Sequence, residues 1–333
     1  MNLPLPIRIV LWPLSLLYGL AARCRALFYA KGWLKKKRLK TPVISVGNLT
    51  VGGTGKSPMV LCLAEEFLKV GKRVGILTRG YRGVDGTSDE VEMLKTRLDD
   101  RVVFGVRADR FLEGSRIERE NPVDVFLLDD GFQHIQLHRD VNIVLWDGSK
   151  KFGKQWLLPA GILREPMSAI SRADILVITR KGGPPPEGRR GAGGALVVCA
   201  QTRLLGFRKR DEKEPLLSAE DIAKDRLYAF CGIGNPAGFY SDLKRWEVEV
   251  VGKESFRDHH RYTAQDAARL TGSAHWGGAT AFVTTEKDEQ NLREVDFGEW
   301  PIYVAVIALE PNPKEEFDGE ISRLLKERRG APR

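Results

Sequence analysis

The feature that most restricts the fold is a glycine-rich loop between two apolar stretches, "TPVISVGNL" and "MVLCLAEEFLKV". The first stretch has the composition of a buried strand, and the second has the apolar spacing of an amphipathic helix. The loop reads "TVGGTGKSP", so strand, glycine-rich turn and helix follow in the order that a phosphate-binding loop requires. The residues predicted to bind a nucleotide are Thr50, Val51, Gly52, Gly53, Thr54, Gly55, Lys56 and Ser57.

Two residues at the end of this loop have separate predicted roles. Lys56 can reach the β- and γ-phosphates, and the hydroxyl of Ser57 can ligate Mg²⁺. The usual pattern G-x-x-x-x-G-K-[ST] opens with glycine, whereas this chain has Thr50 there. Because the nest of amides that holds a phosphate depends mainly on the later glycines, we expect the loop to bind phosphate with threonine in that place.

Short runs rich in Val and Ile recur after residue 40, among them "RVGILTRGY", "VDVFLLDDG", "VNIVLWDG" and "ADILVITR". Their apolar character is continuous, which is typical of parallel strands buried on both faces. We predict an α/β fold with a P-loop NTPase-like doubly wound sheet, helices on both faces and a smaller C-terminal α/β domain. The predicted parts are residues 1–38, a core at 39–225 and a second domain at 226–333. A Pro/Gly-rich loop at 181–194 is a competing boundary.

Paired acids end one of these runs. In "VFLLDDGFQH", Asp129 and Asp130 follow a buried strand. A phosphate-binding loop needs acids at the end of a neighbouring strand, because they ligate Mg²⁺ directly or through water. We therefore predict that at least one of the two is a Mg²⁺ ligand. His134 in the same motif is interpreted as structural.

The charge of the chain is concentrated at its N-terminus. Nine cations and no acid lie in residues 1–40, while the rest of the chain carries as many acidic as basic residues. This distribution argues against a nucleic-acid partner, which would need a basic face on the fold. The widely spaced cysteines form no zinc motif and indicate a reducing compartment. We predict no protein partner.

The N-terminal segment 1–38 combines an apolar run with this basic stretch. The run, "IVLWPLSLLYGLAA", is shorter than the roughly 20 residues of a spanning helix, and "KKKR" follows it. An amphipathic helix lying in an anionic membrane surface fits this pattern, with aromatic residues at the interface. A helix packed on the body with a solvated basic end is the alternative.

Taken in order, these motifs resemble one family. "VGNLTVGGTGKSP", "LTRGYRG", "LDDGFQH", "DGSKKFGKQWLLPAGILREP", "DHH" and "TTEKD", after an apolar and basic N-terminus, are similar to the tetraacyldisaccharide 4'-kinases of Gram-negative bacteria. The resemblance implies transfer of the γ-phosphoryl group of ATP, with Mg²⁺, to the 4'-hydroxyl of a tetraacyldisaccharide 1-phosphate. The product is lipid IVA in lipid A biosynthesis. It also implies a peripheral or monotopic enzyme on the cytoplasmic face of the inner membrane.

The resemblance also implies roles for further residues. An Asp–His pair acts as the base toward the acceptor hydroxyl, and the matching residues are Asp89 and His259, with His260 an open alternative. Glu165 in "LREP" matches an acid near the metal, so the implied metal ligands are Ser57, Asp129, Asp130 and Glu165.

Other segments carry weaker expectations. "TTEKD" resembles a motif on the nucleotide side and lacks the NKxD pattern of guanine recognition, which favours ATP. Arg79 and Tyr81 in "TRGYRG" either line the acceptor cleft or form a structural turn. The remaining alternatives for function are a membrane-associated P-loop NTPase and a kinase acting on another acceptor.

Overall fold

The computed structural model describes residues 4–80, 88–150, 155–179, 190–212 and 215–330, and Tyr81 and most of the loop 181–194 lie outside these ranges. The chain forms two compact units. The first unit contains residues 1–81, 98–201 and 309–333, and the second contains residues 82–97 and 202–308. These units differ from the predicted parts 39–225 and 226–333, because one early segment joins the second unit and the C-terminal segment returns to the first.

The elements follow one another in an alternating α/β order. The strands are β1 (Val43–Asn48), β2 (Val74–Thr78), β3 (Val102–Val106), β4 (Val125–Asp129), β5 (Val141–Asp147), β6 (Ile175–Thr179), β7 (Leu196–Lys209), β8 (Leu227–Cys231), β9 (Val250–Ser255), β10 (Ala281–Thr285) and β11 (Ile302–Asn312). The helices are α1 (Leu5–Ala30), α2 (Lys56–Lys69), α3 (Asp89–Leu98), α4 (Arg110–Glu120), α5 (Ala219–Ile222), α6 (Pro236–Arg245), α7 (Ala264–Trp276), α8 (Glu286–Gln290) and α9 (Lys314–Gly330).

The sheet of the first unit has the order β3-β2-β4-β1-β5-β6-β7, and its paired strands are parallel. Val43 and Phe126 are buried in one hydrophobic cluster with Ile117 of α4. Their sequence neighbours Ile44 and Leu127 are fully buried too and point to the opposite face, because side chains alternate along a strand. Both faces are therefore covered, which confirms the predicted doubly wound α/β fold.

In the second unit, β11, β10, β8 and β9 are neighbours in that order, and the paired strands are parallel. One face buries a cluster that contains Phe239 of α6, and the other buries a cluster that contains Leu270 of α7. Capping boxes begin two of its helices, at Ser218 before α5 and at Thr263 before α7. This unit supplies the predicted smaller α/β domain.

The N-terminal helix α1 packs on the first unit along one narrow stripe. The hydroxyl of Ser15 donates to the carbonyl oxygen of Leu157 at 3.1 Å and accepts from the amide of Ala160 at 3.0 Å. Tyr18 donates to the carbonyl oxygen of Arg164 at 2.7 Å. Only Ser15 and Gly19 of this helix are buried, so most of its surface is exposed.

Candidate active site

The predicted phosphate loop begins where β1 ends and leads into α2. Gly52 and Gly55 adopt positive φ values of 101° and 89°, and Gly55 is the N-cap of α2. Thr50 instead forms an isolated bridge with Leu163, and its neighbour Val51 donates to the carbonyl oxygen of Ile162 at 2.8 Å. Thr50 thus lies in extended backbone, which a residue other than glycine adopts without strain.

Side chains outside the motif hold this loop in place. Asn48 donates through Nδ2 to Oγ1 of the buried Thr54 at 2.8 Å. Thr179, at the end of β6, donates to the carbonyl oxygen of Thr54 at 3.3 Å, and Gln133 donates to the carbonyl oxygen of Asn48 at 2.7 Å. The sequence analysis did not identify these supporting residues, because they come from three separate segments that only the fold brings together.

The paired acids lie at the end of β4, which is a neighbour of β1 in the sheet. Nζ of Lys56 is 3.8 Å from Oδ1 of Asp130, and NH1 of Arg164 is 2.7 Å from both oxygens of that carboxylate. Burial raises the pKa of Asp130, but the charges of Lys56 and Arg164 outweigh it and hold the pKa below its ordinary value. The P-loop lysine and one acid therefore face each other, as expected for a phosphoryl-transfer site.

A buried arginine adds further positive charge near the paired acids. Arg110 is 8% exposed, and its pKa is lowered by burial and by the charge of Arg79, against the attraction of Asp130 and Asp129. Its NH1 donates to Nδ1 of His134 at 3.3 Å. Burial and the charge of Arg110 lower the pKa of His134 to about 4, so this histidine is neutral at pH 7. The interpretation of His134 as structural stays a prediction, and the sequence carries no sign of its contact with Arg110.

The predicted metal ligands have oxygen atoms of the kind that Mg²⁺ prefers. Asp129 and Glu165 are buried, at 6% and 5% exposure. Oε2 of Glu165 accepts from Arg172 at 2.6 Å, while its buried Oε1 has no hydrogen-bond partner among the residues that the structure describes. The oxygens of Asp129, Asp130 and Glu165 do not all lie within 4.8 Å of one another. The donor set fits Mg²⁺ in chemistry, with Asp130 held in ion pairs.

Asp89 and His259, which are predicted to act together as the catalytic base, both lie in the second unit. Nδ1 of His259 lies 2.9 Å from both carboxylate oxygens of Asp89, although the two residues are 170 positions apart. The hydrogen bond with Asp89 raises the pKa of His259, against burial and the charge of Lys287. Burial raises the pKa of Asp89, but the hydrogen bond with His259 and the charge of Lys287 outweigh it and lower the pKa. Because a carboxylate accepts only, the neutral imidazole carries its proton on Nδ1.

The neighbouring histidine has different partners. Nε2 of His260 lies 3.0 Å from Oδ2 of Asp266, in the capping box of α7. The ring of His260 stacks on Phe256 with a centroid distance of 4.6 Å and meets Tyr262 edge-on. The geometry therefore favours His259 over His260 as the partner of Asp89.

Comparison with known proteins agrees with this geometry. Residues 7–326 match the family model described as tetraacyldisaccharide-1-P 4'-kinase. The tetraacyldisaccharide 4'-kinase of Geobacter metallireducens is 39% identical over 327 residues, which cover 91% of this chain and 94% of that protein. The corresponding kinase of Syntrophus aciditrophicus is 34% identical, with 97% of this chain and 94% of that protein covered.

The chain belongs to the tetraacyldisaccharide 4'-kinase family. A crystal structure of one member, LpxK from Aquifex aeolicus in complex with ATP, matches with a TM-score of 0.75 and 34% sequence identity. The match covers 96% of this chain and 99% of that chain. The resemblance drawn from the motifs is thereby confirmed.

In this tetraacyldisaccharide 4'-kinase family member, the segment "TTEKD" lies beside Asp89 and His259. Thr285 caps α8, and Asp288 accepts from the amide of Gly232 at 2.6 Å and from the hydroxyl of Tyr262 at 2.8 Å. Lys287 extends to His259, with 3.4 Å between Nζ and Nε2. The resemblance of this motif to one on the nucleotide side stays a prediction, and the sequence carries no separate sign of Lys287.

Proposed function

We propose that the chain transfers the γ-phosphoryl group of ATP to the 4'-hydroxyl of a tetraacyldisaccharide 1-phosphate, giving lipid IVA in lipid A biosynthesis. Family membership over residues 7–326 supports the substrate, and the P-loop site supports the chemistry. The observation that carries the proposal is the approach of Lys56, at the start of α2, to Asp130, directly after β4, at 3.8 Å. Phosphoryl transfer in P-loop enzymes uses this lysine on the phosphates and an acid of the neighbouring strand on the metal.

The first unit supplies the groups for the nucleotide. The amides of residues 52–57 and the start of α2 bind the phosphates, because a helix N-terminus and a glycine-rich turn present several N–H donors. Lys56, Arg110 and Arg164 add positive charge that offsets the charge of the phosphates. We assign Mg²⁺ to Ser57, Asp129, Asp130 and Glu165. When bound, the metal would neutralise charge on the transferring phosphate.

The second unit supplies the base. An acceptor hydroxyl loses a proton as it attacks phosphorus, and a positioned base that accepts this proton contributes about 10²–10⁴-fold to the rate. We assign this step to Asp89 and His259, which share a hydrogen bond of 2.9 Å. The Asp89 side chain is 7% exposed and that of His259 is 33% exposed. The histidine is therefore the member that reaches solvent, while the aspartate orients it.

The acceptor is a lipid, and α1 has the surface to meet a membrane. It is the helix in the described part of the chain that is long and apolar enough to cross a bilayer, by length and composition. Its docking contacts run from Arg8, bonded to Ala160, to Arg25, bonded to Gln133. At 1.5 Å per residue this stripe is about 25 Å long. A helix docked along that length on the first unit fits a membrane surface better than a span.

We therefore propose that α1 lies in the membrane surface as a monotopic anchor, on the cytoplasmic face of the bacterial inner membrane. The basic stretch serves two purposes in this arrangement. Lys37 pairs with Asp109 at 3.3 Å, and Arg38 pairs with Asp140 at 3.3 Å, so these two cations also tie the segment to the fold. Anionic headgroups attract such a stretch when it lies near the surface.

The test is phosphoryl transfer from labelled ATP to a panel of glycolipid and soluble acceptors, followed by location of the transferred phosphate. We expect label at the 4'-position of the tetraacyldisaccharide. Lys56→Ala should lower the rate by about 10²–10³-fold, the usual loss when a preorganised electrostatic group is removed. Lys69→Ala is the matched control, because Lys69 lies on the same helix and pairs with Glu66 at 2.8 Å. Transfer to a soluble acceptor alone, or an unaltered rate in Lys56→Ala, would contradict the proposal.

A further inference from the structure

The positively charged side chain of Lys287 lies among the acids around His259. Ligand atoms of Asp89, Glu90 and His259 lie within 4.8 Å of one another, close enough to hold a cation. Nζ of Lys287 is 3.8 Å from Asp89, 3.5 Å from Glu90 and 3.4 Å from Nε2 of His259. The ammonium group thus occupies the position that a metal ion would take in this cluster.

The surroundings fix this ammonium group in place. Lys287 donates to Oδ1 of Asp258 at 3.1 Å, and its side chain is 18% exposed. Burial lowers the pKa of Lys287, but the carboxylates of Glu90, Asp89 and Asp258 outweigh burial and raise the pKa. Lys287 therefore stays charged at neutral pH. Position 287 lies in the short helix α8, whose first turn is held by the capping contact of Thr285.

Charge balance shows what this lysine does to His259. Three carboxylates face the imidazole, from Asp89 at Nδ1 and from Glu90 and Asp258 at 3.9 and 3.8 Å from Nε2. Each of them favours a second proton on the ring, which would make it an imidazolium unable to accept one. The charge of Lys287 opposes that protonation from 3.4 Å.

We propose that Lys287 is a positioning residue of the base, whose fixed charge keeps Nε2 of His259 able to accept a proton near neutral pH. The inference rests on the proposed role of Asp89 and His259. Lys287 donates only, so it also selects the tautomer with the proton on Nδ1, toward Asp89. Among the residues that the structure describes, the titratable and charged groups around the imidazole are Asp89, Glu90, Asp258 and Lys287. The uncharged Asn291 donates to Asp89 at 3.3 Å.

The test is the pH dependence of kcat in Lys287→Met. Removing a charge within 4–6 Å shifts a pKa by about 1–3 units. Without the lysine charge the pKa of His259 should rise, so the acidic limb of the kcat–pH profile should move to higher pH by about one unit or more. The rate at pH 7 should fall about tenfold or more and recover at high pH. Lys287→Arg keeps the charge and should leave the limb in place. A structural role would instead lower kcat equally at every pH, and that result would overturn the proposal.

Two further variants keep the test decisive. Lys95→Met removes a cation from α3 that pairs with Glu92 at 3.1 Å, and the limb should not move. Glu90→Gln removes one carboxylate that faces the imidazole, so the acidic limb of its kcat–pH profile should move to lower pH. In the double variant Lys287→Met with Glu90→Gln, the limb should lie between those of the two single variants. If Lys287→Met does not fold, an unmoved limb in Glu90→Gln refutes the charge-balance argument.

Two measurements separate this inference from the proposed function. ¹⁵N chemical shifts of the His259 ring, assigned with His259→Gln, should show the proton on Nδ1 in the wild type and a higher pKa in Lys287→Met. Full activity in Asp89→Asn and in His259→Gln would reject the proposed role of these two residues as the base. A large loss of activity in those two variants, with an unshifted limb in Lys287→Met, would reject only the role of Lys287.

Discussion

The exposed apolar surface of α1 gives a prediction whose size follows from the structure. Val10, Leu17 and Leu20 are 76%, 64% and 58% exposed. Complete burial of such a side chain is favourable by about 1.5–3 kcal/mol, so about two thirds of that, roughly 1–2 kcal/mol, is available from each. Replacing all three with Gln, a good helix former, should therefore weaken membrane binding by about 3 kcal/mol or more, which is at least about 10²-fold.

Co-sedimentation with anionic vesicles at two ionic strengths measures this loss. In the wild type, higher salt should weaken binding only in part, because salt screens the cations over a Debye length of about 8 Å and leaves the apolar contribution intact. The residual binding of the triple variant should be more sensitive to salt than that of the wild type, because the cations carry a larger share of it. The apparent KM for lipid should rise in proportion, while ATP binding stays as in the wild type.

A matched control is available elsewhere on the surface. Val70, Val251 and Trp276 are 70%, 41% and 93% exposed and do not belong to α1. Changing these three residues to Gln removes a comparable apolar surface and should leave vesicle binding unaltered. Equal binding by the wild type and the α1 variant would refute the membrane argument and would leave α1 as a packing element of the first unit.

Three more outcomes are expected. Ser57→Ala should raise the Mg²⁺ concentration needed for half-maximal rate, measured by metal titration of the kinase assay. Alanine at Asp89 or His259 should each lower kcat by about 10²–10⁴-fold, with the double variant scarcely worse than the worse single one, while alanine at His260 should cost much less; multiplicative losses would reject the pairing. Asp140→Asn should lower the free energy of unfolding by about 2–3 kcal/mol in urea titrations at pH 7, because Asp140 is fully buried and accepts from Arg329. Burial raises the pKa of Asp140, but its hydrogen bonds outweigh burial and hold the pKa below its ordinary value. The difference in the free energy of unfolding between the wild type and Asp140→Asn should therefore shrink at acidic pH, where Asp140 becomes protonated in the wild type.

The sequence alone predicted the parts that depend on neighbouring residues. A strand, a glycine-rich turn and a lysine follow one another directly, so the phosphate loop could be placed to the residue. Continuous Val and Ile runs predicted parallel strands. The acids after "VFLL" were predicted to lie beside the loop because a phosphate-binding loop needs acids at the end of a neighbouring strand, and β4 pairs with β1 in the structure. Local reasoning also indicated that the loop does not need glycine at position 50. In the structure, Thr50 forms a β-bridge with Leu163.

Contacts between distant segments needed the tertiary structure or the family resemblance. Asp89 and His259 are 170 positions apart, and the resemblance, not a local pattern, paired them. The role that we propose for Lys287 has no local sign in the sequence, because it depends on carboxylates of α3 and of the loop after β9 that only the fold brings to α8.

The boundaries of the units also depended on tertiary contacts. A helix carries no local sign of which sheet it packs on, so the predicted linear division differs from the two compact units at residues 82–97, 202–225 and 309–333. The apolar pattern of α1 likewise predicted a helix, but only the fold showed that a stripe near Ser15 is docked and the rest exposed. Patterns determine local conformation, whereas packing partners depend on the energy of the whole chain.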